Sequence, residues 1–127
     1  MITQPMTVDL HDISTLTVAD GQWTWKAPYA GELLAVGGYI KTLGTGAGTS
    51  SDFQVRNQTQ TKDMLSTVGA FEVDSATNVL EGMVVDSTNY SFAVGDIIDL
   101  DCDARASGND AADAVVWLVV LLFISDV

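Results

Sequence analysis

The sequence predicts an all-β fold: a single-domain antiparallel β-sandwich, a jelly roll of about eight strands. Three observations predict it. Helical signals are scarce, because only 17% of the 127 residues are charged and Gly, Thr, Ser, Asn, Asp and Val recur throughout, a vocabulary of turns and strands. Short apolar or alternating runs are separated by turn clusters at the spacing of a sandwich or barrel. These eight or nine runs fill the chain and leave no room for helical crossovers, so the strands must pair mainly antiparallel.

Residues 7–13 alternate with a period of two, Val8 and Leu10 on one parity and Thr7, Asp9, His11 and Ile13 on the other, which reads as an edge strand continued by residues 15–18. Asp20-Gly21 gives a turn ahead of residues 22–26, where Trp23 and Trp25 share one face, and Pro28 ends that strand because it has no N–H to donate. Residues 32–41 form the next strand, in which Gly37-Gly38 allow a bulge or the close approach of another backbone. Residues 42–51, rich in Gly, Thr and Ser, are a loop that divides strands rather than domains. Phe53 and Val55 share a face of a strand at 52–56, Asn57-Gln58 turns, and residues 63–68 are a short ambiguous apolar stretch. Further strands are expected at 69–73 and 78–85, and residues 90–94 precede the Gly95-Asp96 turn. A strand at 97–102, a polar connection at 104–113 and a last strand at 115–124 complete the chain. Residues 1–20 thus read as an N-terminal arm or edge strand, and residues 21–127 as the sandwich domain.

The last strand is unusual. Residues 115–124 are apolar on both parities, whereas a sandwich strand with one wet face should alternate. The outer face needs cover, and an adjoining subunit is the simplest cover, since a closed symmetric oligomer also protects long strand edges. The alternative is that the N-terminal segment folds over it. Trp117, Val119, Leu121 and Phe123 share the parity that would meet a partner subunit. The continuous run at 114–124 is eleven residues, too short for a membrane helix, which needs about twenty.

Composition excludes several function classes. Seventeen acidic against five basic side chains give a net charge of −12, which repels phosphate backbones and anionic headgroups, so neither nucleic acid nor membrane is an expected partner. Residues 1–5 lack the charged start and apolar stretch of an export signal, so the expected place is where the protein is made, or outside after lysis. Cys102 is the only cysteine, which rules out an intrachain disulfide, and in an alternating strand beside Leu100 it reads as a small buried apolar residue.

Catalysis finds little support. His11 is the only histidine, so no histidine-rich metal centre and no cupin-type ligand set is available. There is no Gly-x-Ser-x-Gly elbow, and the glycine-rich residues 44–48 lack the Lys-Ser/Thr ending of a phosphate cradle. The sharpest pattern is Asp96-x-x-Asp99-Leu100-Asp101-Cys102-Asp103, with Asp110 further on, an oxygen-rich spacing of the kind that holds Ca²⁺. Ala104 stands where such a loop needs glycine, so Asp99, Asp101 and Asp103 are weak metal candidates. The plainer reading is a strand with carboxylates outside and Leu100, Cys102 and Ala104 inside. A glycosidase pair on one exposed strand face would need an enclosing cleft. Trp23, Trp25 and Trp117 with Tyr29, Tyr39 and Tyr90 suit a sugar platform, and equally a core or subunit interface. Neither an enzyme nor a bound cofactor is expected.

Three stretches together resemble a family. Ala27-Pro28-Tyr29-Ala30-Gly31 leads into Glu32-Leu33-Leu34-Ala35-Val36, Phe92-Ala93-Val94-Gly95-Asp96-Ile97-Ile98 leads into a second strand, and a long apolar strand closes the chain. Over residues 22–124 this is similar to the small jelly-roll decoration, or cement, proteins of tailed bacteriophage heads. The motifs are short and are shared with jelly-roll modules of phage fibres and with trimeric complement- and tumour-necrosis-factor-like heads. Asn57-Gln58 stands where such sequences commonly carry Asn-Gly, and a collagen-like Gly-x-y stalk is missing.

The resemblance implies a homotrimer at threefold or quasi-threefold positions on the outer capsid surface of a virion, made in the host cytoplasm and bridging subunits of the major capsid protein. Residues 1–20 would then be an arm that orders on the capsid through Thr7, Val8, Leu10 and Ile13. Deleting them should weaken attachment and leave the fold intact. The alternative is a trimeric receptor- or glycan-binding head of a phage fibre, using the loops at 42–51 and 104–113. A small hydrolase built on the aspartates is the third reading, and it lacks a base, a metal-ligand set and an oxyanion element.

Overall fold

The computed structural model describes residues 2–9, 13–15, 19–42, 50–72, 79–104 and 112–124. Among the described residues there is no helix. In chain order the strands are β1 (Ile2–Asp9), β2 (Ile13–Thr15), β3 (Ala19–Lys26), β4 (Gly31–Thr42), β5 (Ser50–Asn57), β6 (Lys62–Asp63), β7 (Leu65–Thr67), β8 (Gly69–Glu72), β9 (Val84–Val85), β10 (Ser91–Phe92), β11 (Ile97–Ala104) and β12 (Ala112–Ile124). One sheet runs β1-β12-β4-β10, with β2 beside β12 past the end of β1. The other runs β3-β11-β5-β6, with β8 on β5, and β7 pairs with β9 in a small third sheet. All these pairings are antiparallel.

Both large sheets turn one parity inward onto a shared core, the arrangement of a β-sandwich. From β12 come Ala114, Val116, Leu118, Val120 and Leu122, from β4 Leu33, Val36 and Ile40, and facing them from the β11 sheet Phe53, Val55, Phe71, Ile98, Leu100 and Cys102. Each large apolar side chain removed from water here contributes about 1.5–3 kcal/mol. Trp25 and Phe92 join the layers with rings edge to face at 5.6 Å. As the alternation predicts, Trp23 and Trp25 pack on the core, and Cys102 is buried.

One local expectation is corrected, and two that left alternatives open are narrowed. Residues 2–9 pair along their whole length with β12, from Ile2↔Ile124 to Asp9↔Trp117, so they are an edge strand of the sandwich and not an arm. Val8 is core, only 5% exposed, and is withdrawn as a capsid contact. Removing residues 1–20 therefore takes two strands, β1 and β2, away from β12 and the first two residues from β3. Asp20-Gly21 is not a hairpin turn: it lies inside β3, where the register slips from Trp23↔Leu100 to Ala19↔Cys102 around Gly21 at φ +64°. The bulge in β4 falls at Leu34, because Val119 pairs with Ala35 but Val120 with Leu33. That extra residue lets Leu33 and Val36 both face the core while Leu34 and Ala35 both face out.

Gly37 and Gly38 serve the close approach. A Cβ on Gly38 would stand 2.7 Å from the Val115 carbonyl oxygen, and one on Gly37 would stand 2.5 Å from the Trp117 indole. The expected strand at 78–85 narrows to β9, with single bridges Tyr39↔Val79 and Ala70↔Glu81 linking the two sheets along that side.

Candidate functional site

The outer face of the β12 sheet carries the candidate site. Because β12 alternates strictly against β1, Trp117, Val119, Leu121 and Phe123 all point away from the core, and all four are half-buried. Trp117 sits between Asp9 and Gly37, and its indole lies over the bare Gly37 backbone, 6.3 Å from the Tyr39 ring. Val119 sits between Thr7 and Ala35, and Leu121 between Pro5 and Glu32. Leu34 is 47% exposed and Tyr39 42% exposed beside them. The positions flanking Val119 bear no charge, in a chain whose net charge is −12. The result is a shallow apolar, aromatic row flanked by Gly37, Ala35, Thr7 and Pro5, with the acidic Asp9 and Glu32 beside Trp117 and Leu121, suited to contact with another flat surface and not to enclosing a small molecule.

Of the capsid-contact residues expected from the sequence, Thr7 is exposed on the same face as Val119. Ile13 pairs through its backbone with Ala114 at the far end of β12. Leu10 and His11 lie outside the described residues, as do 43–49 and 105–111 of the two loops assigned to the fibre-head reading.

The aspartate row lies on the opposite side of the molecule. Asp99, Asp101 and Asp103 do share the face of β11 turned from the core, as the alternation requires, but they are not all in water. Asp99 is 5% and Asp101 3% exposed, on a strand that lies inside its sheet between β3 and β5. Asp101 Oδ1 accepts a hydrogen bond from the Gly21 N–H at 2.8 Å, so it anchors the β3 bulge. Gln54, in register with Asp101, is buried as well: its Oε1 accepts from the Val55 and Leu65 N–H groups and its Nε2 donates to the Leu65 carbonyl, each at 3.0 Å. Among the described residues no group of three His, Cys, Asp or Glu side chains is placed to hold a metal ion.

Asp96 belongs to none of this. It is buried at the β10–β11 turn, where Oδ2 accepts from Asn57 Nδ2 at 2.9 Å, Gln60 Nε2 at 2.6 Å and the Ala93 N–H at 2.9 Å. Burial alone would raise its carboxyl, but the three hydrogen bonds outweigh that and hold it below the ordinary 3.8. The same turn meets the β3–β4 connection: the Ala27 N–H donates to the Asp96 carbonyl at 2.9 Å, and the Gly95 N–H to the Ala27 carbonyl at 2.8 Å. The Pro-Tyr-x-Gly and Gly-Asp stretches singled out in the sequence are therefore neighbouring crossovers between the sheets, hydrogen-bonded to each other. Sequence reasoning did not find the Asn57–Gln60–Asp96 cluster, since Asp96 lies 36 residues from Gln60 and 39 from Asn57.

The chain matches no protein-family model, no curated protein and no solved structure.

Proposed function

We propose that this chain is a structural protein that associates as a homotrimer through the outer face of the β12 sheet and decorates the outside of a tailed-phage capsid by bridging major capsid protein subunits. The observation that carries the reading is the apolar outward row Trp117, Val119, Leu121 and Phe123 with Tyr39 and Leu34 beside it. A surface of that kind on a chain of charge −12 favours contact with a protein partner, and burying it offsets the mutual repulsion of acidic copies. The strand orders β1-β12-β4-β10 and β3-β11-β5-β6 favour a jelly roll, because each sheet interleaves early and late strands as two wrapped Greek keys require. The resemblance to decoration proteins supplies the capsid. Its two leading stretches meet at one end of the sandwich, which is what a shared fold signature should do.

Decoration is function by contact. Many copies, each with a modest interface energy, hold a capsid by avidity, and an acidic exterior does not adhere to the packaged genome. The test is to mix the purified protein with undecorated heads assembled from the major capsid protein of the same genome and to pellet them. Saturable co-sedimentation and a higher temperature of head disruption are expected. Protein that stays in the supernatant at every ratio contradicts the reading.

A further inference from the structure

The sheet edges constrain how copies of this chain meet. β1 is the outer strand of its sheet, and among the described residues no strand pairs with its far side. Eight residues of extended backbone at an edge are a template for strand addition. Which groups face that edge follows from β12. The Phe123 N–H donates to the Ala30 carbonyl at 2.8 Å and the Leu121 carbonyl lies against Gly31, so the odd-numbered residues of β12 turn their backbone groups toward β4. The even-numbered ones face β1. Leu122↔Gln4 and Val120↔Met6 are thus the hydrogen-bonded pairs, and Pro5↔Leu121 between them is not. Thr3, Pro5, Thr7 and Asp9 turn their backbone groups to the open edge.

Pro5 has no N–H, so an inner donor of that row is missing. Its carbonyl accepts a hydrogen bond from Gln4 Nε2 at 3.0 Å, so the Gln4 side chain lies across this stretch of the edge and takes up one of the two lone pairs of the acceptor. The donors on either side of it, on Thr3 and Thr7, stand about 13 Å apart at roughly 3.3 Å per residue, and Asp9 carries the next one. A strand laid along β1 would forfeit the bond from that inner donor and meet the proline ring. The other edges of the two large sheets are interrupted or short: β3 is broken by the Gly21 bulge, β6 and β10 are two residues each, β2 is three and β8 four.

We propose that the β1 edge is a strand-addition site for a second copy's β1, held closed by Pro5 and the Gln4 side chain, so that copies associate through sheet faces and not by extending their sheets. The inference goes beyond the trimer reading and stands whatever mass the wild-type protein has. The test compares light-scattering masses of wild type, Pro5→Val, Gln4→Val/Pro5→Val and Pro5→Val/Thr7→Pro over one dilution series, with circular dichroism as the check on folding. The first two variants are expected to double the wild-type mass at high concentration or to grow thioflavin-binding fibres. Thr7→Pro is expected to restore the wild-type mass, because Thr7 turns its N–H to the same open edge and gives up no bond to β12. Folded Pro5→Val and double-valine variants that keep the wild-type mass throughout overturn the proposal, as does a Thr7→Pro variant that assembles like its parent.

Discussion

Replacing Asp96 with alanine is expected to cost about 3–5 kcal/mol, read as a lower urea midpoint at neutral pH. Three donors on two loops converge on one oxygen of this carboxylate, and truncation leaves Asn57 Nδ2 and the Ala93 N–H without their charged acceptor in a buried site. Domains of this size are stable by only about 5–15 kcal/mol, so the loss takes a large share of the total. Asp96→Asn keeps an oxygen and loses the charge, and should fall between wild type and Asp96→Ala. The pH dependence has a definite sign. Because the folded carboxyl titrates below its ordinary value of 3.8, its contribution is fully present above that value and is lost as pH falls through the folded value. The stability gap between wild type and Asp96→Asn should therefore shrink on acidification below about pH 4. Parallel pH profiles for the two proteins would count against the role assigned to the carboxylate.

The second large effect is expected at Gly31. A Cβ there would stand 2.3 Å from the Leu121 carbonyl oxygen and 2.8 Å from the Phe92 ring. The ring can turn aside, but the carbonyl belongs to the β12 backbone and yields only if the two central strands of the sheet part. Gly31→Ala is expected to cost about 3 kcal/mol, roughly 10–15 °C in melting temperature. Gly82→Ala is the comparison: open space surrounds that position and only the φ of +78° opposes a side chain, so about 1–2 kcal/mol is expected. A loss at Gly31 no larger than that at Gly82 would mean that β12 and Phe92 relax around the new methyl group, and that the close approach does not by itself require glycine at Gly31.

Much of the fold was legible because strand alternation records which face is buried. Phe53 with Val55, Leu100 with Cys102, and Trp23 with Trp25 all face the core as their spacing requires. The double-apolar parity of β12 marked the candidate surface directly, since only one parity can enter the core. Alternation says nothing of depth, however. Asp99 and Asp101 were placed on the correct face and wrongly in water, because they lie on an inner strand with a neighbour on each side. Position within a sheet is a long-range property that no local pattern encodes.

The bulge at Leu34 was invisible for a related reason. Leu33, Leu34, Ala35 and Val36 are all apolar, so either parity satisfies the sequence, and the register with β12 decides. The alternation read at 7–13 also left out the first residues of β1. A proline counts against a strand interior, but on an edge its missing N–H faces outward and costs no bond, so β1 begins earlier than the alternation alone predicts.

The most direct test of the account is the solution molar mass of the purified protein beside that of Val119→Asp. Val119 lies between Thr7 and Ala35 on the outer face, so the new carboxylate touches none of the core and the fold should survive, as circular dichroism can verify. Wild-type protein is expected near three times the 13.5 kDa chain, and folded Val119→Asp at the mass of one chain. A wild type that stays at one chain mass at every concentration, or a folded Val119→Asp that keeps the wild-type mass, would contradict assembly through this face.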